Sequence, residues 1–126
     1  MIISIPGNPK SKERPRLGKY GNFYSPTGKG EHDTGWQIYL AYKEECRKQG
    51  IKLRDPRKHL TVHVKYFYQE KRKNSYKDEA NLNCWLADCI EKSGIIFNDK
   101  ILRILVDDYQ HSKDEKNPRT VIEICD

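Results

Sequence analysis

Between residues 60 and 68 the apolar positions alternate strictly. Leu60, Val62, Val64, Tyr66 and Tyr68 fall on one face of an extended chain and Thr61, His63 and Lys65 on the other, the pattern of a half-buried strand with His63 pointing outward. The spacing changes in two other stretches. From Asp33 to Gln49, Trp36, Tyr39, Leu40, Ala41 and Tyr42 recur at helical intervals, with Asp33 or Thr34 placed to cap the start and Gly50 to stop the end. Over residues 79–92, Leu82, Trp85, Leu86, Cys89 and Ile90 share one side of a second predicted helix that Gly94 closes. Short apolar runs at Ile2–Ile5, Ile101–Tyr109 and Thr120–Ile124 read as strands, the last two joined as a hairpin through the polar segment 110–119. Between the first strand and the first helix, Pro6, Pro9, Pro15, Gly18, Gly21, Pro26, Gly28 and Gly30 predict a long loop over residues 6–31. The predicted order is β-loop-α-β-α-β-β, an α+β fold in which two helices cover a small mixed sheet.

With 126 residues the default is one domain spanning 1–126. Only 36% of residues are hydrophobic and 33% are charged, yet eight Tyr, three Phe and two Trp supply enough large apolar area to exclude a disordered tail. No apolar run is long enough to cross a membrane and the N-terminal residues lack a signal-peptide pattern, so the expected location is the cytoplasm. The four cysteines, at 46, 84, 89 and 125, form no CxxC pair, and reduced, mostly buried thiols are expected rather than disulfides or a zinc site.

Charge changes the picture more. The formal net charge is +6, and six cations (Lys10, Lys12, Arg14, Arg16, Lys19, Lys29) against the single acid Glu13 place most of it in the first thirty residues. A second cluster, Lys71, Arg72, Lys73 and Lys77, precedes the second helix. Two dense basic clusters interleaved with Tyr20, Phe23, Tyr24 and Tyr76 point to nucleic acid rather than to a membrane surface, which would call for a basic amphipathic helix.

Acids sit within this basic setting. Asp78 opens the second helix, where a capping role explains it; Asp99 lies in a turn that begins a strand; and Asp88 is on the non-apolar side of the helix between them. A helix–turn connection that folds back would bring Asp78, Asp88 and Asp99 together. Carboxylates ringed by Lys and Arg suit a hard divalent cation acting on a phosphodiester, which is nuclease chemistry.

Several segments carry a family resemblance over essentially the whole chain. Ile5-Pro6-Gly7-Asn8-Pro9-Lys10-Ser11-Lys12-Glu13-Arg14-Pro15-Arg16, Phe23-Tyr24-Ser25-Pro26-Thr27, Asp78-Glu79-Ala80-Asn81-Leu82 and Phe97-Asn98-Asp99-Lys100 resemble, in order, the basic N-terminal segment, the Tyr-x-Pro stretch, the Asp-x-Asp-Asn-Leu helix start and the Asp-rich turn of the RusA family of phage and prophage Holliday junction resolvases. The resemblance implies a homodimeric, Mg²⁺-dependent endonuclease, with Mn²⁺ as an alternative ion, that cuts four-way DNA junctions in a bacterial host. It puts catalytic and metal-binding carboxylates at Asp78, position 80 and Asp99, with Asp88 in support; the two basic clusters are expected to supply the phosphate contacts, at Lys10, Lys12, Arg14, Arg16, Lys71, Arg72, Lys73 and Lys77. A twofold dimer suits a junction that offers paired strands, and Trp36, Tyr39, Trp85 and Phe97 are candidates for its surface, although the core is the expected fate of most of them. Two positions depart from the family pattern: Ala80 stands where the second Asp is expected, and Cys84 where some members have Lys. Loss of a ligand carboxylate implies an inactive form that still binds DNA. Retention of Asp78, Asn81, Leu82 and Asp99 favours loss of one working aspartate over general degeneration. The alternatives are a non-catalytic junction-binding protein and a nuclease for other branched DNA.

Overall fold

A computed structural model of the chain describes residues 1–10, 16–17, 21, 23–24, 28–68, 78–107 and 117–125. The elements are β1 (Ile2–Pro6), β2 (Arg16–Leu17), β3 (Phe23–Tyr24), α1 (Gly28–Gln49), β4 (Leu60–Phe67), α2 (Glu79–Ser93), a 3₁₀ turn (Asp99–Ile101), β5 (Leu102–Val106) and β6 (Arg119–Cys125). The α+β class holds: a mixed four-stranded sheet in the order β1-β6-β4-β5 packs against two helices, and β2 and β3 pair separately as a short antiparallel ribbon.

The expected β5–β6 hairpin does not form. β4 lies between them, parallel to β5 and antiparallel to β6, with Val62 beside both Ile104 and Ile124. Both inward-facing registers bury β-branched side chains on the central strand, which a terminal hairpin would have left at an edge. The alternation along β4 is otherwise realised: Leu60, Val62, Val64 and Tyr66 are buried, as is Tyr68 just past its end, and they join Ile3, Ile5, Ile122 and Ile124 in the core.

The first helix begins at Gly28 rather than Asp33, so Asp33 and Thr34 lie inside it and the long loop ends before residue 28. Its buried face runs Glu31, Gly35, Ile38, Tyr42 and Cys46, offset from the predicted stripe. Trp36 is 62% exposed and stacks on Tyr39 on the outer side. Phe97, 75% exposed, is likewise not a core residue, whereas Trp85 is. Two features hid the true phase. Glu31 is buried because its carboxylate accepts a hydrogen bond from Lys92 Nζ of α2 at 2.8 Å, and Gly35 is buried because α2 crosses at its Cα, where a side chain would not fit.

The second helix matches its prediction. Asp78 caps it, accepting from the Asn81 backbone N–H at 3.3 Å, and Gly94 ends it in the left-handed conformation at φ 82°. Leu82, Trp85, Leu86, Cys89 and Ile90 are its buried face. All four cysteines are free, Cys46 and Cys89 buried, Cys84 and Cys125 exposed. No helix among the described residues is long and apolar enough to cross a membrane.

Candidate functional site

Because α2 commits one face to the core, the opposite face is free for chemistry. Ala80, Cys84, Ala87 and Glu91 succeed one another there at helical intervals of four, three and four, with Asn83 and Asp88 beside them. The chain then turns sharply at Gly94 and must be held if its next polar residues are to face the helix. Ile95 and Ile96 are buried as anchors. Arg54 donates through Nη1 to the Ile95 carbonyl at 2.7 Å and through Nη2 to the Lys58 and His59 carbonyls at 2.6 and 3.0 Å, and the Phe97 N–H donates to the Pro56 carbonyl at 2.7 Å. Asn98 caps the following 3₁₀ turn by accepting from the Lys100 N–H at 2.9 Å. This scaffold delivers Asp99, first residue of that turn, to the open side of α2.

There Asp88, Glu91 and Asp99 each offer a carboxylate oxygen, all within 4.8 Å of one another. Asp88 and Asp99 line an open groove of about 460 Å³ between α2 and β5, whose wall also includes Asn83, Cys84, Ala87 and Leu102, and Glu91 stands beside them. Partial burial first, and then the charges of Asp99 and Asp88, raise the Glu91 carboxyl above the ordinary glutamate range. In the groove wall the Asn83 amide is oriented: Oδ1 accepts from the Tyr66 hydroxyl at 2.7 Å, which turns the Nδ2 donors away from that bond. Burial, with a smaller contribution from Glu79, raises the Tyr66 phenol, so it remains a donor.

Of the carboxylates expected to converge, Asp88 and Asp99 do, and Glu91 stands where Asp78 was expected. Asp78 serves as the helix cap, ten residues before Asp88 and so about 15 Å away along the axis. Ala80 lies on the groove face of α2 but brings no ligand atom. Glu91 carried a signal in the sequence, since it follows Asp88 by three residues on the non-apolar side. Without a fixed position for Asp99, that spacing alone is common on solvated helices.

Lys10 is exposed beside the first turn of α1, and Arg16 lies in β2. Lys12, Arg14, Lys71, Arg72, Lys73 and Lys77 fall outside the described residues. The strands that lead into the two basic stretches nevertheless leave the sheet at one end: Pro6, last of β1, and Phe67, last of β4, both lie opposite Arg119 of β6. The α2 N-terminus follows from that end too. His63 points outward as expected, with Nδ1 3.0 Å from Asp107 Oδ1 on the sheet face away from the helices.

The arrangement joins an all-oxygen donor group, an oriented amide donor and, at one end of the sheet, the ends of β1 and β4, the strands that precede the basic stretches in sequence. No curated protein sequence matches the chain. The family model described as Endodeoxyribonuclease RusA matches residues 6–125, nearly the whole chain, and the protein accordingly belongs to the RusA family of endodeoxyribonucleases.

Proposed function

We propose that the chain is a divalent-cation-dependent endonuclease for four-way DNA junctions, impaired in catalysis by Ala80. The observation that carries this reading is the meeting of Asp88, Glu91 and Asp99 within 4.8 Å at a groove along α2, in a chain of this nuclease family. Three carboxylates with no nitrogen ligand in the group fit a small hard cation, Mg²⁺ or Mn²⁺, better than zinc. Such an ion, when bound, supplies Lewis-acid polarisation of a phosphate oxygen and acidification of water.

The remaining work falls to the chain's own residues. Asp88, Glu91 and Asp99 would hold the cation, whose charge would offset their mutual repulsion, which adds to partial burial in raising the Glu91 carboxyl. Asn83 Nδ2 donates to a phosphate oxygen lying in the groove, in the orientation the Tyr66 hydroxyl imposes. Lys10, Lys12, Arg14 and Arg16, with Lys71, Arg72, Lys73 and Lys77, grip the DNA backbone and bring it to the end of the sheet where α2 begins. Position 80 lies on the same side of α2, one turn before Cys84 of the groove wall and two residues after Asp78, so an aspartate there would add a second acidic station. Ala80 removes it. The active unit in this reading is a homodimer acting in the cytoplasm of a bacterial host, with the exposed Trp36, Leu40 and Phe97 as its apolar contacts.

A second reading, a junction-binding protein without catalysis, is favoured by one observation: the Asp78 carboxylate is engaged as a helix cap. The Ala80→Asp variant decides between the two. With Mg²⁺ and a synthetic four-way junction, Ala80→Asp is expected to nick opposed strands at least about a hundredfold faster than the parent, because losing a ligand carboxylate costs more than losing an outer-sphere partner, which costs about 10–100-fold. Tight junction binding by Ala80→Asp without cutting in Mg²⁺ or Mn²⁺ leaves only the binding reading. Preferential cutting of flaps in a substrate panel replaces the four-way junction with another branched DNA.

A further inference from the structure

A second pocket, of about 220 Å³, lies on the other flank of α2. It forms where the end of β1 and the residues just past it, including Ile5 and Gly7, meet the first turns of α1, including Gly30 and Thr34, with Trp85 of α2 in its wall. Ile5 pairs with Thr120, and Thr120 with Tyr66, the residue bonded to Asn83; Ile5 and Tyr66 are therefore two strand spacings, about 10 Å, apart.

Two independent observations ask for an anion here. The Lys10 ammonium lies 3.1 Å from where a Cβ on Gly30 would be, so it rests against the first turn of the 22-residue helix α1. That turn presents backbone N–H groups without intrahelical acceptors and the positive end of the helix dipole. A cation parked on it is electrostatically misplaced, and Lys10 has no ion-pair partner among the described residues. The nearby acids do not repair this: Glu31 is engaged by Lys92, and Asp33, although on the pocket wall, forms no ion pair with Lys10. Separately, Trp85 is 3% exposed and its indole N–H is the one buried side-chain donor without an acceptor among the described residues. A helix N-terminus, an unneutralised ammonium and an unmet buried donor are the parts of an oxyanion site.

We propose that this pocket is a phosphate subsite, separate from the acidic groove, that takes a backbone phosphate of the bound DNA through Lys10 Nζ, the first N–H groups of α1 and Trp85 Nε1. The identity of that phosphate as DNA rests on the functional reading above; the pocket's affinity for an oxyanion does not. Inorganic phosphate and DNA share the recognising chemistry, so each forms one arm of the test.

The chain has two tryptophans, so Trp36→Phe, a change at an exposed site, leaves Trp85 as the sole tryptophan, excited selectively at about 295 nm. In that background, inorganic phosphate at constant ionic strength is expected to give a saturable change in Trp85 emission at millimolar concentration. Lys10→Met should weaken it about tenfold, whereas Lys65→Met, the same charge change on the exposed outer face of β4, should not. With a four-way junction, Lys10→Met should weaken binding and reduce the salt slope by about one. A missing phosphate response, or one that Lys10→Met leaves unchanged, overturns the subsite. A phosphate response lost in Lys10→Met while junction binding and its salt slope stay at parent values overturns its assignment to DNA. Cutting by Ala80→Asp is scored separately: a protein that never cuts can still pass the phosphate arm, and one that cuts can fail it.

Discussion

Gly35→Ala tests the contact that holds the two helices, and with them the site, in place. In the interior of an isolated helix this change is favourable by about 1 kcal/mol, because alanine gives up less backbone freedom than glycine. In the folded chain the new Cβ would lie 2.9 Å from the Cys89 carbonyl oxygen, 3.1 Å from the Ser93 nitrogen and 3.2 Å from the Lys92 carbonyl carbon. Ordinary contact begins at 3.4 Å, and all three obstructing atoms are α2 backbone, so relief requires a shift of about half an ångström between helices rather than a rotamer change. Overpacking of this kind costs about 1–3 kcal/mol, and the rigidity of the obstruction argues for the upper half of that range. The same shift would stretch the Lys92–Glu31 bond, now 2.8 Å. Subtracting the propensity gain leaves a net destabilisation of about 1–2 kcal/mol. In urea unfolding followed by circular dichroism, that corresponds to a midpoint lower by about 1 M at an m-value of about 1.5 kcal/mol/M. An alanine variant as stable as the parent, or more stable, would refute the close approach and with it the packing that positions α2.

Other outcomes bear on the ion pair and on the acidic group. Lys92→Met removes the cation from a carboxylate that is 1% exposed while Lys92 itself keeps 29% of its side chain accessible; a loss of about 2–3 kcal/mol is expected, below the range for a fully buried pair, and Glu31→Gln added to it should recover part of that loss in the same urea assay. For the acidic group the sign follows from the raised Glu91 carboxyl: the native state holds this proton more tightly than the unfolded chain, so its contribution is present in acid and is lost as pH climbs from the ordinary glutamate range through the native value. Thermal melts across that window should show parent stability falling relative to Glu91→Gln, and saturating Mg²⁺ should remove the difference by raising parent Tm. A parent that gains stability over Glu91→Gln as pH rises, without added metal, would contradict the crowding of the three carboxylates.

What the sequence determined by itself was local. Alternation along 60–68 and the apolar side of 79–92 specify β4 and α2 because period and capping chemistry are properties of neighbouring residues, and Asp78 and Gly94 mark the ends of α2 as their side-chain and backbone preferences dictate. The motif residues likewise identify the family without reference to any contact. Tertiary structure decided what depends on distant partners. The start of α1 was masked by Gly28 and Gly30, poor helix formers. Its phase was masked by Glu31 and Gly35, whose burial makes sense only once Lys92 and the α2 backbone are opposite them. The order β1-β6-β4-β5 in place of a terminal hairpin follows from which strand can be covered on both edges, a property of the assembled sheet. The acidic group depends on the same kind of closure: Asp88 and Glu91 are neighbours on any helix, but Asp99 reaches them only because Arg54, Ile95, Ile96 and the Phe97 N–H hold the intervening turn against the rest of the fold.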